Sequence, residues 1–183
     1  MKKYFRQLDE QRKEFYEDIQ LNFDNPWQRP LPDKWSIGET LYHLLLMAKL
    51  FRRFSAFYIP PAKPIAHLRK NKPYKTEIHD IYSEYTTTKK KPMKAPSLIK
   101  PPENLEKKWT IDEIRLALDE ETKRLKLLVE SIDEPIAGHI VFPDPVAYYP
   151  NLIQTIHILA IHEAHHFRLT KNYYIHNKRL PSN

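Results

Sequence analysis

Glycine is almost missing from this chain. Gly38 and Gly138 are the only two in 183 residues, against 16 prolines. Tight hairpins, phosphate loops and dinucleotide-binding turns need glycine where the backbone turns left-handed or approaches a ligand. A hairpin-rich all-β fold, a P-loop and a dinucleotide fingerprint are therefore excluded, and a helix-rich chain remains. Its length fits a single domain, residues 1–183, large enough to bury its own core. Cysteine is absent, which excludes disulfides, a cysteine nucleophile and thiolate-bound zinc or iron–sulfur sites. No apolar run approaches the roughly 18 residues of a membrane span, and the opening MKKYFRQLDEQRKEF has no apolar signal core. The expectation is a soluble, cytoplasmic protein with no membrane partner.

The formal charge of +7 invites a nucleic-acid reading, but its location argues against one. Residues 59–109 hold 12 Lys/Arg and 5 Asp/Glu, a balance of +7, while the other 132 residues hold 18 of each sign. The same segment carries 8 of the 16 prolines. Pro and Lys together make an extended surface insertion that cannot pack a core of its own. It reads as a solvated loop or as a basic rim that attracts anions, and no nucleic-acid partner is expected.

Four segments carry helical periodicity. The first runs from Lys2 to Asn22, with Phe5, Leu8, Phe15 and Ile19 on one face. The second opens with the capping box Ser36-Ile37-Gly38-Glu39 and is expected to run to about Tyr58, where Pro60-Pro61 should stop it. The third opens with a second capping box, Thr110-Ile111-Asp112-Glu113, and ends near Ile132. The fourth follows Pro150, with Asn151 as N-cap and Gln154 three residues on, and reaches about Tyr174. Segment 139–149 is aromatic and β-branched, but its two prolines make it a packed connection rather than a strand. Four amphipathic helices with a long connection between the second and third make an all-α four-helix bundle.

Most of the nine histidines need no special role. His67, His79, His139 and His176 stand in polar or loop contexts, and His157 leaves the main seam of the fourth helix. Steps of three and four from Leu152 reach Thr155, Leu159, His162, His166, Leu169 and Tyr173. His162 and His166 therefore stack one turn apart on a core-facing seam. Buried imidazoles need partners, and one divalent cation satisfies both. On the second helix the same stepping gives Ser36, Thr40, His43, Met47, Leu50, Phe54 and Phe57, an apolar seam whose titratable group is His43. His43 lies roughly 10 Å from the start of its helix and His166 roughly 13 Å from the end of the fourth, so the levels match if the two run antiparallel. Three neutral imidazoles suit Zn²⁺ ahead of Ni²⁺ or Fe²⁺ and leave a coordination position open for chemistry.

His165 is the rival to His166, about 100° off the seam. Glu163 leaves the seam in the same way, although His162-Glu163-Ala164-His165-His166 still fits the HExxH spacing of a zinc protease. No recognisable downstream third ligand accompanies it, and His43 stands on the other seam. Glu39, one turn before His43, could orient that ring, but its capping role is favoured. Tyr148, Tyr149, Tyr173 and Tyr174 could line a pocket, with core filling the favoured role.

Asp33-Lys34-Trp35-Ser36-Ile37-Gly38-Glu39-Thr40-Leu41-Tyr42-His43-Leu44 resembles the WSIGE-x-x-x-H-L start of the second helix in DinB-like proteins. Ile161-His162-Glu163-Ala164-His165-His166 resembles the C-terminal H-x-x-H-H signature of the same family. The resemblance implies an up-down-down-up bundle with a three-histidine metal site at His43, His162 and His166. One branch comprises thiol S-transferases that use bacillithiol, mycothiol or glutathione, and other members are called metal-dependent hydrolases. Two departures stand out: the insertion at 59–109 is longer than usual, and Phe167-Arg168-Leu169-Thr170 replaces a frequent Gly-Gln pair.

The leading functional expectation is thiol transfer to an electrophile, with a low-molecular-weight thiol as cosubstrate because the chain has no cysteine. Basic residues such as Lys89, Lys90 and Lys91 would attract an acidic thiol. The alternatives are hydrolysis by metal-activated water and a non-catalytic metal-binding stress protein. Helix two is too apolar for one buried side, which leaves a homodimer open.

Overall fold

A computed structural model describes residues 1–23, 25–78, 80–84 and 95–178, with the side chains of 22 and 175–178 left out. Its α-helices are α1 (Lys2–Asn22), α2 (Ile37–Leu68), α3 (Ile111–Val129), the single turn α4 (Glu134–Ala137) and α5 (Leu152–Lys178). Residues 81–84 are also helical, and 3-10 turns occur at Ser97–Ile99 and Leu105–Lys107. Among the described residues the only extended pairing is one isolated bridge between Val141 and Asn151. The fold is an all-α bundle.

Three helices start where side chains supply the orphan amides of the first turn. Glu39 N–H donates to Ser36 Oγ (3.1 Å) and Ser36 N–H to the Glu39 carboxylate (2.8 Å). Thr110 and Glu113 repeat the exchange. Asn151 N–H donates to Gln154 Oε1 (2.8 Å) and Gln154 N–H to Asn151 Oδ1 (3.0 Å).

The second helix does not stop at Tyr58. It runs three further turns through Pro60, Pro61 and Pro64 to Leu68. Proline's fixed φ is helical, and its penalty is the lost N–H and the clash with the carbonyl four residues back. All three prolines are exposed, as are Ala56 and Phe57, whose carbonyls lose their donors to Pro60 and Pro61. Ile59 and Ala66, both buried, hold this stretch against the bundle.

Cross-helix contacts set the directions. Tyr4 meets His157, Arg12 meets Glu163, Phe15 meets Phe167 and Phe23 meets Tyr174, so α1 and α5 run parallel. Arg52 pairs with Glu121, and Tyr42 packs on Trp109 just ahead of α3, so α2 and α3 also run parallel. Trp35 stacks near His166, while Tyr58 O–H donates to the Val141 carbonyl ahead of α5, so α2 and α5 run antiparallel.

Two apolar clusters follow one another along the bundle. One gathers Phe5, Leu8, Ile59, Leu125, Leu152 and Ile156, and the other Phe15, Ile37, Leu41, Ile114, Leu118 and Phe167. On α5 the change-over falls between Ala160 and Phe167, the stretch that carries His162 and His166. The α2 seam is core-facing only in its first half. Leu50 and Phe54 are 39% exposed and Phe57 is 80% exposed, because no helix among the described residues covers that side of α2 beyond Met47. No helix among the described residues is long and apolar enough to cross a membrane.

Candidate metal centre

Polar side chains enter the bundle where the two clusters meet. His43 and His162 are buried and His166 half-buried. His43 Nε2 lies 3.2 Å from His162 Nε2, and His166 Nε2 lies 3.1 Å from the same atom. One nitrogen from each of the three rings falls within 4.8 Å of the others, an arrangement able to hold a metal ion. His43 comes from α2 and the other two from successive turns of α5. The antiparallel crossing brings their levels together.

The donor set fits a divalent cation. His43 Nδ1–H donates to the carbonyl of Ile99 (2.7 Å). That bond fixes the tautomer and turns the lone pair of Nε2 toward the other rings. Three imidazole nitrogens facing one another cannot all be satisfied by the protons they carry, because neutral imidazole has one donor and one acceptor. Two nitrogens each about 2.05 Å from a tetrahedral ion would stand roughly 3.3 Å apart, close to both separations. His162 Nδ1 is buried and has no hydrogen-bond partner among the described residues.

Electrostatics keeps these rings neutral. Burial lowers the pKa of His162 to about 3, with further lowering from His43 and His165. Burial also lowers His43, against a smaller opposing effect of the Ile99 carbonyl, and holds His166 well below the ordinary value. Neutral imidazoles with free lone pairs are the form a metal binds.

Aromatic rings flank the cluster. Trp35 has its ring centroid 4.8 Å from His43 and 6.2 Å from His166. Tyr82 lies 5.3 Å from His162 and stacks on His165 at 4.7 Å. His165 thus turns outward toward Tyr82, its Nδ1 near Arg168, and is absent from the converging trio. A cavity of about 470 Å³ lies beside α5, lined by Gln154 and Ile158 from the turns preceding His162, and by Tyr74, Glu77 and Tyr148.

Neither nearby carboxylate serves the cluster. Glu163 turns to α1, where Arg12 grips both its oxygens (2.8 and 2.7 Å) and Gln11 adds a third bond. Glu39 accepts from Ser36 and from the Arg29 guanidinium. Burial would raise its pKa, but the Arg29 and Ser36 hydrogen bonds outweigh that and hold it below the usual range.

Other sequence expectations resolve simply. His67 is exposed, His139 Nε2–H donates to the Lys72 carbonyl, and His157 stacks on Tyr4. Tyr148 and Tyr149 do not fill core: they are 52% and 53% exposed on a turn where both have positive φ. Asp144, whose side chain and carbonyl take amides of that turn, holds it there. Tyr173 and Tyr174 are half-buried, and Tyr174 O–H donates to the Gln28 carbonyl. His79, Lys89, Lys90, Lys91 and the side chain of His176 lie outside the described residues.

Sequence reasoning missed Ile99 and Tyr82, which come from the connection between α2 and α3. Their positions have no periodicity to read. Trp35 was visible in the WSIGE motif, though its place beside two histidines was not.

The bundle thus brings three neutral imidazoles from two helices into an arrangement able to hold a divalent metal ion. The chain belongs to the DinB superfamily, whose family model matches residues 7–169. No curated protein and no solved structure matches it.

Proposed function

We propose that this protein is a metal-dependent enzyme in which His43, His162 and His166 bind one divalent cation, Zn²⁺ ahead of Ni²⁺ or Fe²⁺. The reaction favoured is transfer of a small-molecule thiol to an electrophile. The observation that carries the reading is the meeting of three Nε2 atoms at 3.1 and 3.2 Å in a buried setting. Membership of the DinB superfamily supports it. A bound ion of this kind lowers the pKa of a coordinated thiol from about 8.5, so that thiolate forms at neutral pH.

The chain's own groups do the positioning. The Ile99 carbonyl holds the His43 tautomer, and burial keeps all three rings unprotonated. Trp35 and Tyr82 flank the rings with apolar faces that limit water. Thiol transfer is favoured over hydrolysis because Glu163 and Glu39, the glutamates of the two motifs, are engaged elsewhere. Water-based chemistry wants a general base.

Hydrolysis is the second reading, and His165 is what favours it. Its ring is 5.6 Å from that of His166, and burial lowers its pKa, which keeps the ring unprotonated at neutral pH, the form a general base needs. A non-catalytic metal-binding stress protein is the third.

Elemental analysis of purified wild type beside His162→Ala is the first test. About one zinc, nickel or iron per chain, lost in the variant, is expected. A screen of thiols with electrophiles, run against ester and amide substrates, then separates the first two readings. Metal without either activity supports the third, and no metal after reconstitution ends the enzyme reading.

A further inference from the structure

The half of α2 that leaves the core carries a continuous apolar stripe. Leu50, Phe54, Phe57, Pro61, Ile65 and Leu68 follow one another at steps of four, three, four, four and three, so they share one face over about 27 Å of helix. Leu50 and Phe54 are partly covered, but the stripe then opens: Phe57 is 80%, Ile65 62% and Leu68 85% exposed. Exposed apolar side chains in a contiguous row, unlike isolated ones, mark an interaction surface.

The charge carried by this stretch of chain has one sign. From Thr40 to Thr76 there is no Asp or Glu, while Lys49, Arg52, Arg53, Lys63, Arg69, Lys70, Lys72 and Lys75 all occur. Arg52 is paired with Glu121 of α3. The other seven have no ion pair among the described residues. Lys49 and Arg53 flank the first half of the stripe, and Arg69 and Lys70 follow its end.

We infer that this face of α2 docks on an anionic bilayer surface, the helix lying in the interface with Phe57, Ile65 and Leu68 directed into it. An apolar helix face rimmed by Lys and Arg is the pattern that binds such a surface, by burying apolar area while cations meet anionic headgroups. A second copy of the chain is the weaker occupant. Pairing two such faces would set seven unpaired cations against seven more with no acid on the same stretch of chain to relieve them. Docking of this kind needs no spanning helix. It departs from the expectation of no membrane partner, which rested on the missing span.

The test is co-sedimentation of the full-length protein with vesicles of phosphatidylcholine alone or mixed with phosphatidylglycerol, at low and high salt. The expected result is binding to the anionic vesicles only, falling as salt rises. Phe57→Ser combined with Leu68→Ser should weaken it about tenfold or more, and so should Arg53→Glu. Circular dichroism checks that the variants stay helical. If the double variant fails to fold, Arg53→Glu and the salt dependence of wild type carry the test. No binding to anionic vesicles, equal binding to neutral ones, or binding insensitive to these substitutions overturns the proposal. A dimer in light scattering that dissociates on Phe57→Ser, without vesicle binding, overturns it in favour of self-association.

Discussion

Arg12 and Glu163 form a bidentate ion pair between α1 and α5, with both side chains only 3% exposed. Burial opposes the charge on Arg12, but attraction and hydrogen bonds from Glu163 outweigh it and raise the guanidinium pKa above its usual value. In a zinc-protease HExxH motif this glutamate would face the metal as general base. Here it fastens the first helix to the last. Glu163→Gln should therefore destabilise the fold by about 3 kcal/mol, since it leaves a buried charge short of its partner. Metal content per folded chain should match wild type. Urea unfolding and elemental analysis check the two halves, and metal loss in a fully stable variant would contradict this assignment.

Ile99 supports the site through its carbonyl while its side chain is 5% exposed. Ile99→Ala keeps the carbonyl but removes the packing that places it. A loss of about 2–4 kcal/mol in stability is expected from the cavity. A 10- to 100-fold weaker metal affinity is expected from the loosened His43. Competition with a metal-binding dye measures the second effect, and unchanged affinity would mean that the connection does not tune the site.

The metal-free protein should be acid-sensitive well above the carboxylate range. Burial places the folded pKa of His162 near 3, and those of His43 and His166 are lowered as well, against about 6.5 unfolded. Between those limits the unfolded chain binds more protons, so stability is complete above about pH 6.5 and falls as pH drops toward the folded values. For His162 alone the loss from pH 7 to pH 5 is about 2 kcal/mol. Urea midpoints at the two pH values, measured in chelator, test this. A flat profile would show that these rings are not buried neutral in the folded state.

Gly38 is required by contact and not by backbone freedom. A Cβ there would lie 2.3 Å from a ring carbon of Trp27, and neither glycine has positive φ. Gly38→Ala should displace that indole and cost about 1–3 kcal/mol. Thermal unfolding gives the cost and tryptophan fluorescence the displacement, and an unchanged Tm with an unchanged spectrum would refute it.

Helix starts were legible because each is written in a local pair: Ser36 with Glu39, Thr110 with Glu113, Asn151 with Gln154. The convergence of His43, His162 and His166 was legible because spacing alone places residues on a helix face. The end of α2 was not. Proline is locally a stop signal, whereas Ile59 and Ala66 find packing partners that no local pattern reveals. The same limit hid the exposed half of the α2 seam, since periodicity gives a face but not what covers it. Ile99 and Tyr82 reach the histidines by the return of an irregular connection, which follows from the whole packing.

The tie between Arg12 and Glu163 joins residues 151 apart in sequence. On the ribosome the first helix must therefore wait, its guanidinium still in water, until Glu163 has emerged. The same helix that carries Glu163 brings two of the three imidazoles, so closure of α1 on α5 and assembly of the site are one event. A message truncated before α5 would yield a chain with neither its buried salt link nor a histidine trio.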